Sequence, residues 1–95
     1  MNLEEHESQA LKTFGKPWTE VHKWLDEFAF TPQYGMRHRR VRHHRAGVEE
    51  ARKLFGDEGA DAALQHIKSD LHEEGWREGH PFPWDEKSYV SMGLF

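Results

Sequence analysis

At 95 residues, with 36% hydrophobic content and no cysteine, the chain is near the small end of what buries a core unaided, and neither disulfides nor a thiolate zinc site can stiffen it. Its net charge of -4 argues against general DNA coating, and no apolar run approaches the ~18 residues of a membrane span. The opening "MNLEEHESQA" is acidic where a signal peptide would be basic and then apolar, so a cytoplasmic protein is expected, stabilised by its aromatics, a bound ion or homo-oligomerisation.

In chain order, the first helix is expected from about Leu3 to Phe14, with Leu3, Ala10, Leu11 and Phe14 on its packing side, stopped by Gly15 and Pro17. A second begins after Thr19 as N-cap and carries Val21, Trp24, Leu25 and Phe28 until Pro32, and "TPQYG" makes the turn. A third and longer helix is expected over about Met36 to Phe55, with Gly56 as its stop. Asp57 can cap a fourth, which runs to about Glu74 with Ala60, Ala63, Leu64, Ile67 and Leu71 inward. Beyond Gly75 the prolines predict an irregular aromatic tail lying across the bundle, with a short strand near Tyr89 to Met92 as an option. The expected fold is therefore all-α: one helical domain over 1–95, a small bundle of about four helices with its core at 18–74 and its tail at 75–95. Aromatics of that tail, among them Phe82, Trp84 and Phe95, need cover, which favours self-association.

Eight histidines are the chemical signal. On the third helix Arg37, Val41, His44, Val48, Ala51 and Phe55 follow one line, because successive residues advance about 100° around the axis. His44 and Arg37 then face inward, His38 and Arg45 flank that line, and His43 points largely away. His22 and Asp26 are four apart on the second helix, and His66 and Asp70 repeat that spacing on the fourth. Packed side by side, the three helices would bring His22, Asp26, His44, His66 and Asp70 around one cavity. Imidazole and carboxylate ligands suit a divalent zinc, manganese, iron or nickel ion, and facing helices often assemble such sites. Each aspartate can instead orient a ligating histidine. The plainer alternative makes both pairs ordinary surface i,i+4 contacts.

Residues 37–45, "RHRRVRHHR", hold five arginines and three histidines in this acidic chain. Arg39, Arg40 and Arg42 read as a solvated basic face. Arg37 and Arg45, with His38, are the expected anion-binding groups, since guanidinium beside an apolar line needs a carboxylate or an anionic ligand. The expected partner is an anionic small molecule or an acidic protein surface, with Glu20, Asp26 and Asp70 as internal candidates.

The segments "VHKWLDEF", "RHRRVRHHRAGVEEARKLFG" and "LQHIKSDL", across about residues 18–71, resemble a family of small, histidine-rich helical proteins of bacteria and phages classed as a domain of unknown function. The resemblance rests on His22, Trp24, Asp26, His38, Arg39, His43, His44, Gly47, Phe55, Gly56, His66, Asp70 and Leu71. It implies a small cytoplasmic helical protein, often phage-borne, without an activity to carry over. A weaker likeness is to HD phosphohydrolases, whose metals are held by histidines and aspartates from several helices; no adjacent His-Asp dipeptide occurs here. Three functions follow: a metal-binding module that receives a phosphate-like or nucleotide-like anion, with phage host takeover or counter-defence as the role the resemblance suggests; a metal-dependent phosphohydrolase; or a metal-free structural or interaction module. Metal content separates the last from the first two, and phosphodiester turnover separates those two.

Overall fold

The computed structural model describes residues 1–94, and the fold is all-α. Helix α1, Leu3–Phe14, opens on a reciprocal cap: the Asn2 side chain accepts from the Glu5 amide while Glu5 reaches back to the Asn2 amide. It closes on Gly15, whose left-handed φ of 76° glycine adopts without steric cost. Helix α2, Thr19–Leu25, starts from a left-handed Trp18 and ends at Asp26, earlier than the expected run to Pro32. Its Thr19 hydroxyl donates to Glu7 of α1.

The expected continuous helix over 36–55 is in pieces. A 3-10 turn, Gly35–Arg37, leads into the four-residue α3, Arg39–Arg42, and the chain leaves helical geometry at His43 and His44 before α4, Arg45–Glu73, begins. Helix α4 is itself interrupted at Gly56, where φ 83° and ψ -177° are not helical, so the boundary expected at Gly56 is present as a sharp break. The short α5 spans Glu86–Ser91 and is capped by Asp85, which accepts from the Ser88 amide; a strand near Tyr89 is thereby corrected to a helix. Among the described residues there is no β-strand, and no helix is long and apolar enough to cross a membrane.

Packing is centred on α4. Helices α1 and α2 lie against it and each other, while α3 is held between α4 and α5. The core is built largely from small side chains, Ala10, Ala51, Ala60, Ala62 and Ala63, which let helices approach closely, with Val21, Leu25, Ile67 and Leu71 filling between them. On α1 the buried face is His6 and Ala10 rather than Leu3 or Leu11, which are 39% and 53% exposed.

The tail does structural work on α4. Carbonyls of Pro83 and Trp84 accept from the amides of Arg45 and Ala46 at 2.9 and 2.8 Å, satisfying two donors that the start of a helix leaves open. Tyr89 is fully buried and its hydroxyl donates to Glu74 at 2.8 Å. Of the tail aromatics, Trp84 is 70% exposed, Phe82 is partly buried, and Phe95 lies outside the described residues.

Gly47 marks the tightest point of this junction. A Cβ there would stand 1.8 Å from the Arg42 carbonyl oxygen, a backbone atom that cannot swing aside. Gly47→Ala is therefore expected to destabilise the protein by about 2–3 kcal/mol, read as a lower urea midpoint, far beyond the gain in helix propensity that alanine normally brings.

Candidate functional site

Four elements deliver titratable side chains to one buried place. Helix α1 supplies His6, α2 supplies His22 and Asp26, the link after α3 supplies His43, and the second half of α4 supplies His66 and Asp70 one turn apart. All but Asp26 are almost completely buried, and the Asp26 side chain is 35% exposed.

Asp26, His43, His66 and Asp70 converge. Asp70 Oδ2 lies 3.0 Å from His43 Nε2 and 3.2 Å from His66 Nε2, and Asp26 Oδ1 lies 3.6 and 3.5 Å from the same two nitrogens. Metal bonds of about 2.0–2.2 Å at tetrahedral or octahedral angles put neighbouring donor atoms roughly 2.9–3.5 Å apart, close to these spacings. The rings of His43 and His66 meet edge-on, at 70° and 5.2 Å between centroids, so their in-plane lone pairs can aim at one point.

His6, His22 and His66 form a second group whose nitrogens lie within 4.8 Å of one another. Its geometry differs. His6 stacks on His66 at 3.6 Å and 12°, and His22 is only 23° from the His66 plane, so the three lone pairs lie in nearly parallel planes and do not converge. These rings instead fix a tautomer. His22 Nε2 donates to the Pro17 carbonyl at 2.9 Å, because that oxygen can only accept, and its bare Nδ1 then accepts from His66 Nδ1 at 2.9 Å. His66 Nε2 is left facing the two carboxylates without an aligned hydrogen bond. A ligating histidine is commonly oriented in this way, by donating its other ring proton.

Other buried atoms lack aligned partners too: both nitrogens of His6, Nδ1 of His43 and Oδ1 of Asp70, although His6 Nε2 comes within 3.2 Å of that oxygen. Unsatisfied buried atoms are unusual in a folded interior, and of these His66 Nε2 is the one that faces the converging carboxylate oxygens, where a cation would satisfy it.

The electrostatics agree. Burial works against the Asp26 and Asp70 carboxylates, but hydrogen bonds and charge from the surrounding imidazoles hold both well below the usual carboxylate range. Burial lowers His22 and His43 to about 4, so both are neutral near pH 7. His66 moves the other way: burial opposes its proton, yet Asp26 and Asp70 together raise its pKa. The cluster is thus two anions, neutral imidazoles and one imidazole whose proton a divalent cation can replace.

Among the five residues expected around one cavity, His22, Asp26, His66 and Asp70 are together and His44 is not. His44 caps α4: its Nδ1 accepts from the Gly47 amide at 3.1 Å, and its Nε2 is held by the carbonyls of Arg40 and Val41. Because the chain breaks at His43 and His44, the helical line through 37, 41, 44 and 48 does not exist, and His43 faces the cluster in its place. His6 was missed. It shares one i,i+4 line with Ala10 and Phe14, a pattern that marks it as inward.

The arginines are also redistributed. Arg37 is exposed, and Arg45 lies over the Phe82 ring at 5.4 Å, so neither is aimed at the inter-helix groove. Arg39 reaches the cluster instead, with NH2 3.6 Å from Asp70 Oδ1 and NH1 3.1 Å from Glu74. Arg42 covers Trp24 at 4.3 Å and pairs with Glu27, and Arg40 lies 3.7 Å from Glu86, so much of the basic run is met by the chain's own acids. His38 donates from Nδ1 to Gly35 and lies 3.3 Å from Asp26 Oδ1, which raises its pKa. Beside the cluster lies a cavity of about 540 Å3 whose polar floor includes Asp26, His38, Arg39 and Asp70.

Fold and site together define a small helical protein with a buried histidine–aspartate cluster capable of holding a metal ion. Residues 1–75 match the family described as Domain of unknown function (DUF6915), and the chain belongs to that family. Comparison with curated proteins and with solved structures finds no match.

Proposed function

We propose that the protein is a divalent-metal-binding module, with Asp26, His43, His66 and Asp70 as ligands, which receives an anionic ligand at the exposed Asp26 side of the ion. The observation that carries this reading is the convergence of two carboxylate oxygens and two edge-on imidazole nitrogens at spacings of 3.0 to 3.6 Å in a buried place. One divalent cation and two carboxylates sum to neutrality, which removes the cost of burying two anions together. The mixed nitrogen and oxygen donors favour zinc, manganese, iron or nickel over calcium.

Chain prepared without a histidine tag should carry about one equivalent of metal by elemental analysis. Stripping it with a chelator should lower the thermal midpoint, and restoring the ion at about 100 times its dissociation constant should return about 2.7 kcal/mol of stability. Metal-free protein that gains no stability from any of the four ions would favour the interaction-module alternative. Position is tested by a pair of variants. His43→Ala should reduce bound metal to background, whereas His44→Ala should keep the full equivalent and cost about 1 kcal/mol as a lost helix cap.

A further inference from the structure

The cavity beside the cluster is more than a solvent path to the ion. Its floor carries Asp26 and Asp70 of the metal set, and its cationic wall is made by Arg39 and Lys23, with His38 beside them. Lys23 is exposed and makes no ion pair among the described residues. The Glu27 carboxylate on the same wall is already engaged by Arg42. The rim has a different character: Leu3, Ala29 and Phe30, with Phe30 98% exposed and Leu3 39% exposed. A phenylalanine this exposed contributes almost nothing to the fold, and here it stands over a hole whose wall carries Arg39 and Lys23. At about 540 Å3 the cavity is within the range that encloses small molecules.

From this juxtaposition, and resting on the metal reading above, we propose that the cavity binds a phosphate monoester carried on an aromatic or apolar group. The dianionic phosphate lies against the bound ion, Arg39 and Lys23, and the apolar group packs under Phe30 and Leu3. A phosphate suits the site better than a carboxylate because two cationic side chains, Arg39 and Lys23, join the ion at the floor. The guanidinium fork and the lysine can then share several phosphate oxygens. The two ends of the ligand are recognised by different residues, so they are separable by substitution.

The test uses the full chain loaded with manganese, its metal content measured before each calorimetric titration, and three probes: phenyl phosphate, inorganic phosphate and benzoate. Phenyl phosphate is expected to bind at least tenfold more tightly than either of the others. Phe30→Ala should weaken phenyl phosphate about five- to tenfold and leave inorganic phosphate unchanged, whereas Lys23→Ala should weaken both phosphates. Both substituted side chains are exposed, so the variants should fold as the parent does, checked by their thermal midpoints. Phenyl phosphate binding no tighter than inorganic phosphate, benzoate equalling it, or indifference to Phe30→Ala at full metal occupancy would overturn the inference while leaving the metal reading intact. Protein that takes up no manganese would instead overturn the metal reading itself, and the ligand assignment with it.

Discussion

Asp70→Ala is expected to be the most damaging single substitution in the cluster, costing about 3–5 kcal/mol of stability and abolishing metal binding. The Asp70 carboxylate serves five groups at once: Oδ2 meets His43 and His66, while Oδ1 is approached by His6 at 3.2 Å, Arg39 at 3.6 Å and the Met1 ammonium at 3.7 Å. Its removal strands charge that the fold has already taken out of water. His66 loses the nearer of its two carboxylates, and Arg39 keeps Glu74 and the backbone carbonyl of residue 70 but loses the buried carboxylate. Asp70→Asn separates charge from shape. The amide fills the same volume and can still accept one hydrogen bond, so about 1–3 kcal/mol should be lost, yet a neutral oxygen is a poor ligand and the metal should still go. Urea denaturation in chelator gives the stability terms, and elemental analysis gives occupancy. An alanine variant that loses less than about 1 kcal/mol and retains its metal would show that Asp70 does not organise the cluster.

What the sequence made legible was the i,i+4 spacing. His22 with Asp26 and His66 with Asp70 lie within regular or just-ending helix, where angular position follows from residue number, so spacing places each pair on one face while the packing of the helices makes the pairs converge. The failures at His43, His44, Arg37 and Arg39 have one cause. The segment over 36–55 has helical composition without proline, so nothing in its periodicity announces a break. The break is imposed from outside, by tail carbonyls of Pro83 and Trp84 that seat the start of α4, and by His44 acting as a cap although serine, threonine, aspartate and asparagine are the usual residues there. One interruption rotates every residue before it relative to every residue after it. Gly47 was the available clue, since a glycine in the first turn of a helix often marks close backbone approach, here against the Arg42 carbonyl. His6 was hidden for a different reason: Leu3 and Leu11 drew the apolar face of α1 to the wrong side, and α1 buries an imidazole in their place.

The metal-free protein is expected to lose stability in acid in two stages. His22 and His43 have folded values of about 4 against an ordinary 6.5, so between those limits the unfolded chain binds more protons than the folded one. Stability therefore falls as the pH drops from about 6.5 to 4, and the fully buried His43 alone accounts for about 3 kcal/mol of that fall. Asp26 and Asp70, both depressed, contribute stability that is complete above about 4 and lost below it, which makes the second stage. His66 has the opposite sign. Its raised value gives stability that is complete below 6.5 and declines as the pH climbs through the folded value, so the alkaline side should slope gently downward. Metal changes this profile, because a ligating imidazole must give up its proton and affinity therefore rises with pH. Urea midpoints in chelator from pH 4 to 9 should trace a maximum near neutrality, with the acid limb shallower in His43→Gln, whose amide has no proton to gain. A midpoint unchanged between pH 7 and 4.5 would mean that burial does not hold these imidazoles neutral, and the cluster would then lack the lone pairs that a metal needs.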